Sequence, residues 1–177
     1  MLGFVEIHYW LIALNMTETS TDTTVPLSTE ALAEHVTQLF SEHMPFNQLL
    51  GLKIKKLSHD EVEIRLPWDN KLMGNPIQKI LHGGVTAAIL DTVGGLMAIL
   101  YAIKDIDNVT LEEFQRALPN VGTIDMRVDY LRPGKGEEFI ATAQVIRKGK
   151  KVAVCRMELH NEAGVHIAFG TCTYKIA

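Results

Sequence analysis

The longest apolar stretch runs from Val85 to Ile103, where Thr86, Asp91, Thr92 and Tyr101 are the only side chains with polar atoms. By length such a run fits a membrane span or a helix buried in protein. An aspartate near its middle and four glycines between positions 83 and 95 argue against lipid. A helix that is apolar all round must be buried on every side, and a curved sheet is the natural wrapper. Upstream, Leu32, His35, Val36, Leu39 and Phe40 recur at helical spacing behind a cap at Ser28 or Thr29, predicting a helix from Glu30 to Phe40 on the outside of the core. After Pro45, the segment from Leu50 to Leu57 and the alternating Val62, Ile64 and Leu66 predict two strands, joined by a Ser58-His59-Asp60 turn and ended by Pro67. Between Lys104 and Leu118, Thr110 and Glu113 form a capping box, with Leu111, Phe114 and Leu118 following at helical spacing; a short surface helix is expected. Beyond Pro119, strands are predicted from Gly122 to Leu131, Glu138 to Arg147, Lys151 to Asn161 and Val165 to Ile176, separated by turn-forming clusters. The predicted fold class is α+β, with about six antiparallel strands curved around one long helix.

In the last predicted hairpin, pairing His160 with Val165 puts Cys155 and Cys172 on one face with the small residues Ala168 and Gly170, as a sheet needs where a helix approaches closely. Both cysteines read as packing residues. The other face carries Val165, Ile167 and Phe169, too apolar to leave in water and so a candidate subunit contact.

At 177 residues, with 47% hydrophobic and 21% charged side chains, the chain can bury a core without disulfides or a metal. The expected organisation is a mobile segment over residues 1–28, rich in Ser and Thr towards its end, then a single domain over 29–177. Residues 1–15 resemble a signal peptide but lack a basic start and are interrupted by Glu6 and His8, so secretion is not expected; Met16 is an alternative start. A net charge of −4 offers nothing to draw a phosphate backbone, so nucleic acid is not an expected partner, and the aspartate and glycines of the apolar run leave no membrane expected either. Two cysteines without a paired motif suit a reducing, cytoplasmic compartment. The seven histidines include no His-Glu-x-x-His pair, so a zinc site needs a spatial coincidence, and no metal or redox cofactor is expected. Phosphate-loop, dinucleotide and nucleophile-elbow motifs do not occur.

Chemistry concentrates in Asn75 to Gly95. His82-Gly83-Gly84 opens the apolar helix, where free backbone N–H groups and the positive helix end suit a developing oxyanion. Asp91 is a carboxylate in an element that otherwise excludes charge. Two readings stand: a structural carboxylate capped by hydroxyls such as that of Thr92, or a nucleophile or base for water. Between Gly84 and Asp91 the helix rises about 10 Å, too far for one carbonyl group to meet both. Two such helices antiparallel across a two-fold axis would bring each N-terminus to the other's Asp91, making a homodimer the functional unit.

The runs LHGGVTAAILDTVGG and GTIDMRVDYLRPG closely resemble the hotdog-fold acyl-CoA thioesterases of the phenylacetate-pathway type, from about Phe46 to Tyr174. The resemblance implies hydrolysis of an acyl-CoA to free acid and coenzyme A, in subunits that join their sheets into dimers and often pair again into a homotetramer. It implies that Asp91 drives attack on the thioester, that the N–H of Gly83 or Gly84 polarises the carbonyl, that Asn75 contacts the reacting group and that Thr123 positions water. His82 belongs to the motif, with its ring fixing the loop rather than moving protons. Two departures stand out: Lys79, where many relatives have glycine, and the longer Lys104 to Leu118 connection, which either shields an acyl tunnel or decorates the surface.

For the coenzyme A end, the candidates are Arg132 and, in the turn, Arg147, Lys148, Lys150 and Lys151, against the plain alternative of a solvated basic turn. Leu90, Leu96 and Met97 are core residues that could also wall an acyl pocket. Two other functions remain open: an acyl-CoA binding module without turnover, and a hotdog hydratase or dehydratase.

Overall fold

The computed structural model describes residues 23–104 and 109–177. The expectations for the leader-like stretch, Met16 and most of the 1–28 segment lie outside them. In chain order the elements are α1 (Thr29–Gln38), continuing as a wider turn over Leu39–His43; α2 (Pro45–Leu50); β1 (Lys53–Leu57); β2 (Val62–Pro67); β3 (Met73–Asn75); β4 (Ile80–Leu81); α3 (Gly83–Ile103); α4 (Leu111–Ala117); β5 (Gly122–Tyr130); β6 (Glu138–Lys148); β7 (Val152–Asn161) and β8 (His166–Lys175). Six strands form one antiparallel sheet in the order β1-β2-β6-β7-β8-β5, and β3 and β4 pair separately. The sheet curves around α3, which is the hotdog architecture.

Strand periodicity sets the two faces. Val62, Ile64 and Leu66 of β2, Phe139, Ala141 and Ala143 of β6, Ala153, Cys155, Met157 and Leu159 of β7, and Ala168, Cys172 and Tyr174 of β8 are buried towards the helix. The small ones let it approach. At Gly94 the approach is closest: a Cβ there would lie 2.3 Å from the Tyr174 hydroxyl and 3.0 Å from Met157 Sδ. By length and apolarity α3 could cross a membrane, yet 61% of its most apolar window is buried inside the protein.

Several expectations are corrected. The helix is not covered on all sides: the sheet ends at β5, leaving Ala87, Ala88, Asp91, Thr92 and Gly95 half-buried along one stripe. Leu50 belongs to α2, a helix begun by Pro45 and ended at Gly51, so β1 starts only at Lys53. The last hairpin pairs Cys155 directly with Cys172 and His160 with His166, because a bulge between Leu159 and His160 shifts the register. That bulge turns Ile167 inward to 1% exposure, which removes it from the proposed subunit face. The Lys104 to Leu118 connection is not decoration, since Phe114 (1% exposed), Leu111 and Val109 join the core, each burial worth about 1.5–3 kcal/mol for a large side chain. Its helix carries the expected box, Thr110 and Glu113 capping one another. Pro26 bridges to Thr110 and the Leu27 N–H donates to the Val109 carbonyl, so residues just before α1 are tied to this connection.

Candidate active site

Asp91 lies on the open stripe of α3. Its Oδ1 accepts the Thr123 hydroxyl at 2.9 Å and lies 3.4 Å from the Tyr174 hydroxyl, which donates at 2.9 Å to the Asp91 carbonyl. Oδ2 accepts no hydrogen bond from the described residues. Thr123 and Tyr174 are cross-strand partners on β5 and β8, so two adjacent strands present hydroxyls to one carboxylate oxygen. Tyr174 is 1% exposed, and burial pushes its phenol far above the usual range, keeping it a donor. The Thr92 hydroxyl bonds instead to the Ala88 carbonyl, so it does not cap Asp91.

The start of α3 is organised by His82. Its ring Nδ1 accepts the Gly84 N–H at 2.9 Å, an N-cap made by an imidazole, which leaves the proton of the neutral ring on Nε2. The Val85 and Thr86 N–H groups both reach the His82 carbonyl. With those donors used, the Gly83 N–H is the one at this helix end with no partner among the described residues. Tyr130, at the end of β5, donates its hydroxyl to the Gly83 carbonyl at 2.8 Å, so the peptide between Gly83 and Gly84 is held from both sides.

Asn75 uses its side-chain oxygen to accept the N–H groups of Ile77 and Gln78, folding its own loop. The preceding Gly74 abuts His82, where a Cβ would come within 2.6 Å of its Cα. Lys79 closes the loop with a φ of +50°, the left-handed region that glycine occupies most easily.

An apolar cleft of about 370 Å³ opens at this end of α3, lined by Ile80, Leu81, Gly83, Thr86, Leu131 and Ile167, with Tyr130 and Arg132 at its edge. Leu90, Leu96 and Met97, by contrast, are sealed in the core at 0% exposure and wall neither described cleft. Sharing Tyr130 and Leu131 is a second hollow of about 470 Å³ on the outer face, lined by Arg127, Asp129, Arg156, Phe169 and Thr171. There Arg156 lies 4.0 Å over the Phe169 ring and Arg127 pairs with Asp129 at 2.9 Å.

The candidate coenzyme A cations do not converge within one chain. Arg132 donates to the His166 carbonyl at 3.0 Å, beside the start of α3. Lys148 and Lys150 lie at the β6–β7 turn, where Lys148 sits 5.0 Å over the ring of Tyr101, near the other end of α3. A helix of this length spans about 30 Å. Tyr130, Tyr174, Arg127 and Arg156 are the site residues that sequence reasoning missed; only the strand parity of β5, β7 and β8 pointed towards them. Both cysteines are free and buried, and burial pushes their thiols up to about 12 for Cys155 and about 11 for Cys172.

Residues 78–168 match the family model described as the thioesterase superfamily. The chain is 41% identical over 150 residues to the medium/long-chain acyl-CoA thioesterase YigI of Escherichia coli strain K12, covering 85% of this chain and 97% of that one. The YigI protein of Salmonella typhimurium is likewise 41% identical, over 152 residues, with the same coverage of both chains. Among solved structures, a Shewanella oneidensis protein related to the thioesterase superfamily is 54% identical with a TM-score of 0.78, covering 81% of this chain and 94% of that one. With a hotdog sheet around α3 and likeness of this extent, the chain belongs to the thioesterase superfamily and is a thioester hydrolase.

Proposed function

We propose that the protein is an acyl-CoA thioesterase that hydrolyses its substrate to a free acid and coenzyme A, with Asp91 and the Gly83 N–H acting together across a two-fold axis. The observation that carries this reading is Asp91 itself, a carboxylate on an otherwise uncharged helix, with Oδ1 held by Thr123 and Oδ2 without a hydrogen-bond partner among the described residues. The Gly83 N–H, unpaired among the described residues and at the positive end of α3, would grip the thioester oxygen as negative charge develops there. About 12 Å of helix separates Gly83 from Asp91 in one chain, so the carboxylate comes from a second copy. The exposed edge of β5, with Ile124 58% and Tyr130 55% exposed, and the half-open stripe of α3 support pairing of two copies, and a dimer of dimers follows as the larger assembly. Residues 29–177 are the domain that pairs.

With Asp91 as base, it takes a proton from water, the water oxygen bonds to the thioester carbon, and collapse of the oxyanion expels the thiolate, which takes up a proton. With Asp91 as nucleophile, its oxygen bonds to the thioester carbon, the C–S bond breaks and the thiolate leaves and takes up a proton, and water then opens the resulting anhydride to release the acid and restore the carboxylate. Single-turnover hydrolysis in oxygen-18 water separates the two: label in Asp91 means the anhydride. The Asp91 and Gly-Gly arrangement follows the phenylacetate-pathway enzymes, while a medium or long acyl chain follows the YigI relatives. The apolar walls of the cleft support an aliphatic tail. The free, buried cysteines support a cytoplasmic location.

The test is thiol release from acyl-CoA esters of graded length, compared with Asp91→Ala at equal melting temperature. Steady release that falls about 10²–10⁴-fold in the variant supports the proposal. Binding without release would make the protein an acyl-CoA module, and loss of enoyl absorbance without free thiol would make it a hydratase.

A further inference from the structure

On the outer face of the sheet, away from Asp91, three ligand-bearing side chains meet. Glu158 and His160 lie two residues apart on β7, so both point outward, and the bulged register sets His166 of β8 directly opposite His160. One ligand atom from each lies within 4.8 Å of the others. The two imidazoles are stacked, 4.4 Å between centroids and 18° between planes. They do not satisfy one another or the carboxylate. His160 Nε2 is 3.9 Å from Glu158 Oε2, beyond hydrogen-bond range, and His166 Nε2 is shut off from solvent with no hydrogen-bond partner among the described residues. A buried nitrogen left unpaired is costly, and a bound ion would take up its lone pair.

We propose that Glu158, His160 and His166 form a binding site for a divalent transition-metal ion of the zinc class. Two imidazoles and one carboxylate suit Zn²⁺ and its neighbours rather than Mg²⁺ or Ca²⁺, which take mostly oxygen ligands. Zinc bonds of about 2.0–2.1 Å require the three atoms to draw together from their present spacing, which side-chain rotation on a sheet surface allows. A fourth position stays open for water. Two cations nearby oppose a metal charge: Arg156, two residues before Glu158, is engaged over the Phe169 ring and reaches Thr171 at 3.4 Å, and Arg132 donates to the His166 carbonyl at 3.0 Å. The site stands independently of the hydrolytic proposal, since none of its three residues lines the cleft beside Gly83. Its motif is invisible in sequence because the third ligand arrives across a strand pair.

The experiment is titration of chelator-stripped, untagged full chain with Zn²⁺ by calorimetry, repeated for Glu158→Gln, His160→Gln, His166→Gln and the control Asp91→Asn. The expected result is one ion per chain, with affinity reduced by more than the roughly 10–100-fold that losing an outer partner of a ligand costs in each of the three site variants, and unchanged in the control. Circular dichroism of each variant in chelator separates loss of a ligand from loss of fold. Co²⁺ provides a second readout: visible absorption that the wild-type chain shows and the His166 variant lacks. Wild-type protein that takes up no Zn²⁺, or site variants that bind it like the wild type, would overturn the proposal.

Discussion

Tyr174 and Asp91 lie 83 positions apart in sequence, yet the buried phenol donates at 2.9 Å to the Asp91 carbonyl and comes within 3.4 Å of its Oδ1. The ring fixes the helix while its hydroxyl, together with that of Thr123, fixes the carboxylate. Tyr174→Phe keeps the packing and removes only the donor. Because Tyr174 lines neither described cleft, kcat should fall about 2–10-fold with KM unchanged. A larger KM in steady-state assays would place Tyr174 in substrate binding instead.

Gly94 gives Tyr174 its room. Gly94→Ala sets a methyl group against the hydroxyl and against Met157, which should destabilise the protein by about 1–3 kcal/mol and displace the phenol from Asp91. Chemical denaturation and thiol-release assays should both register the change. Gly95→Ala, whose Cβ would stand 3.6 Å from the ring, is the milder comparison.

His82 is a cap before it is anything else. His82→Asn retains an acceptor for the Gly84 N–H and should hold stability within a few tenths of a kcal/mol, whereas His82→Ala should lose about 1 kcal/mol. If the asparagine variant is as stable as the wild type yet inactive, the ring has a role in turnover beyond the cap.

The two thiols should be silent in the native state. With Cys155 at about 12 and Cys172 at about 11, fewer than about one in a thousand is ionised at pH 8, and neither is accessible, so a disulfide reagent should label none until denaturant is added. The sign for stability follows. Unfolded thiols ionise near 9.0 while the folded ones stay protonated, so their contribution is intact below pH 9 and is lost as pH rises from there towards 11 and 12. Cys155→Ala should flatten that alkaline decline.

Lys79 holds a backbone conformation that suits glycine better. Lys79→Gly removes that strain but frees the unfolded chain, so the net effect should be neutral to stabilising by up to about 1 kcal/mol in thermal melts. A loss larger than that would show that the lysine side chain makes its own contribution to the loop.

Much of this was legible because periodicity is a local signal. The largely apolar run from Val85 to Ile103 announced a wrapped helix, the alternation in β7 announced its face of the sheet, and Thr110 with Glu113 announced a capped helix. The departures arose where non-local geometry decides. The bulge at Leu159 and His160 depends on how β7 and β8 pair, so it turned Ile167 inward against simple alternation. A six-residue helix at Pro45–Leu50 is too short for its period to stand out from a strand. At the candidate site, Asp91 and the glycines were visible as anomalies of composition, but nothing in the sequence singled out Tyr174. What distinguishes it is where its hydroxyl ends, and that is set by Gly94 on another element.

The dependence of Asp91 on Tyr174 also orders events during synthesis. The ribosome makes α3 long before β8, so the nascent helix must wait, its Gly94 side uncovered, until the final strand docks between β7 and β5. Such delayed, long-range closure is slow relative to helix formation and exposes apolar surface meanwhile, which makes the incomplete chain a natural client for chaperones. A chain stalled before codon 174 would therefore leave the Gly94 side of α3 uncovered and Asp91 without its Tyr174 partner.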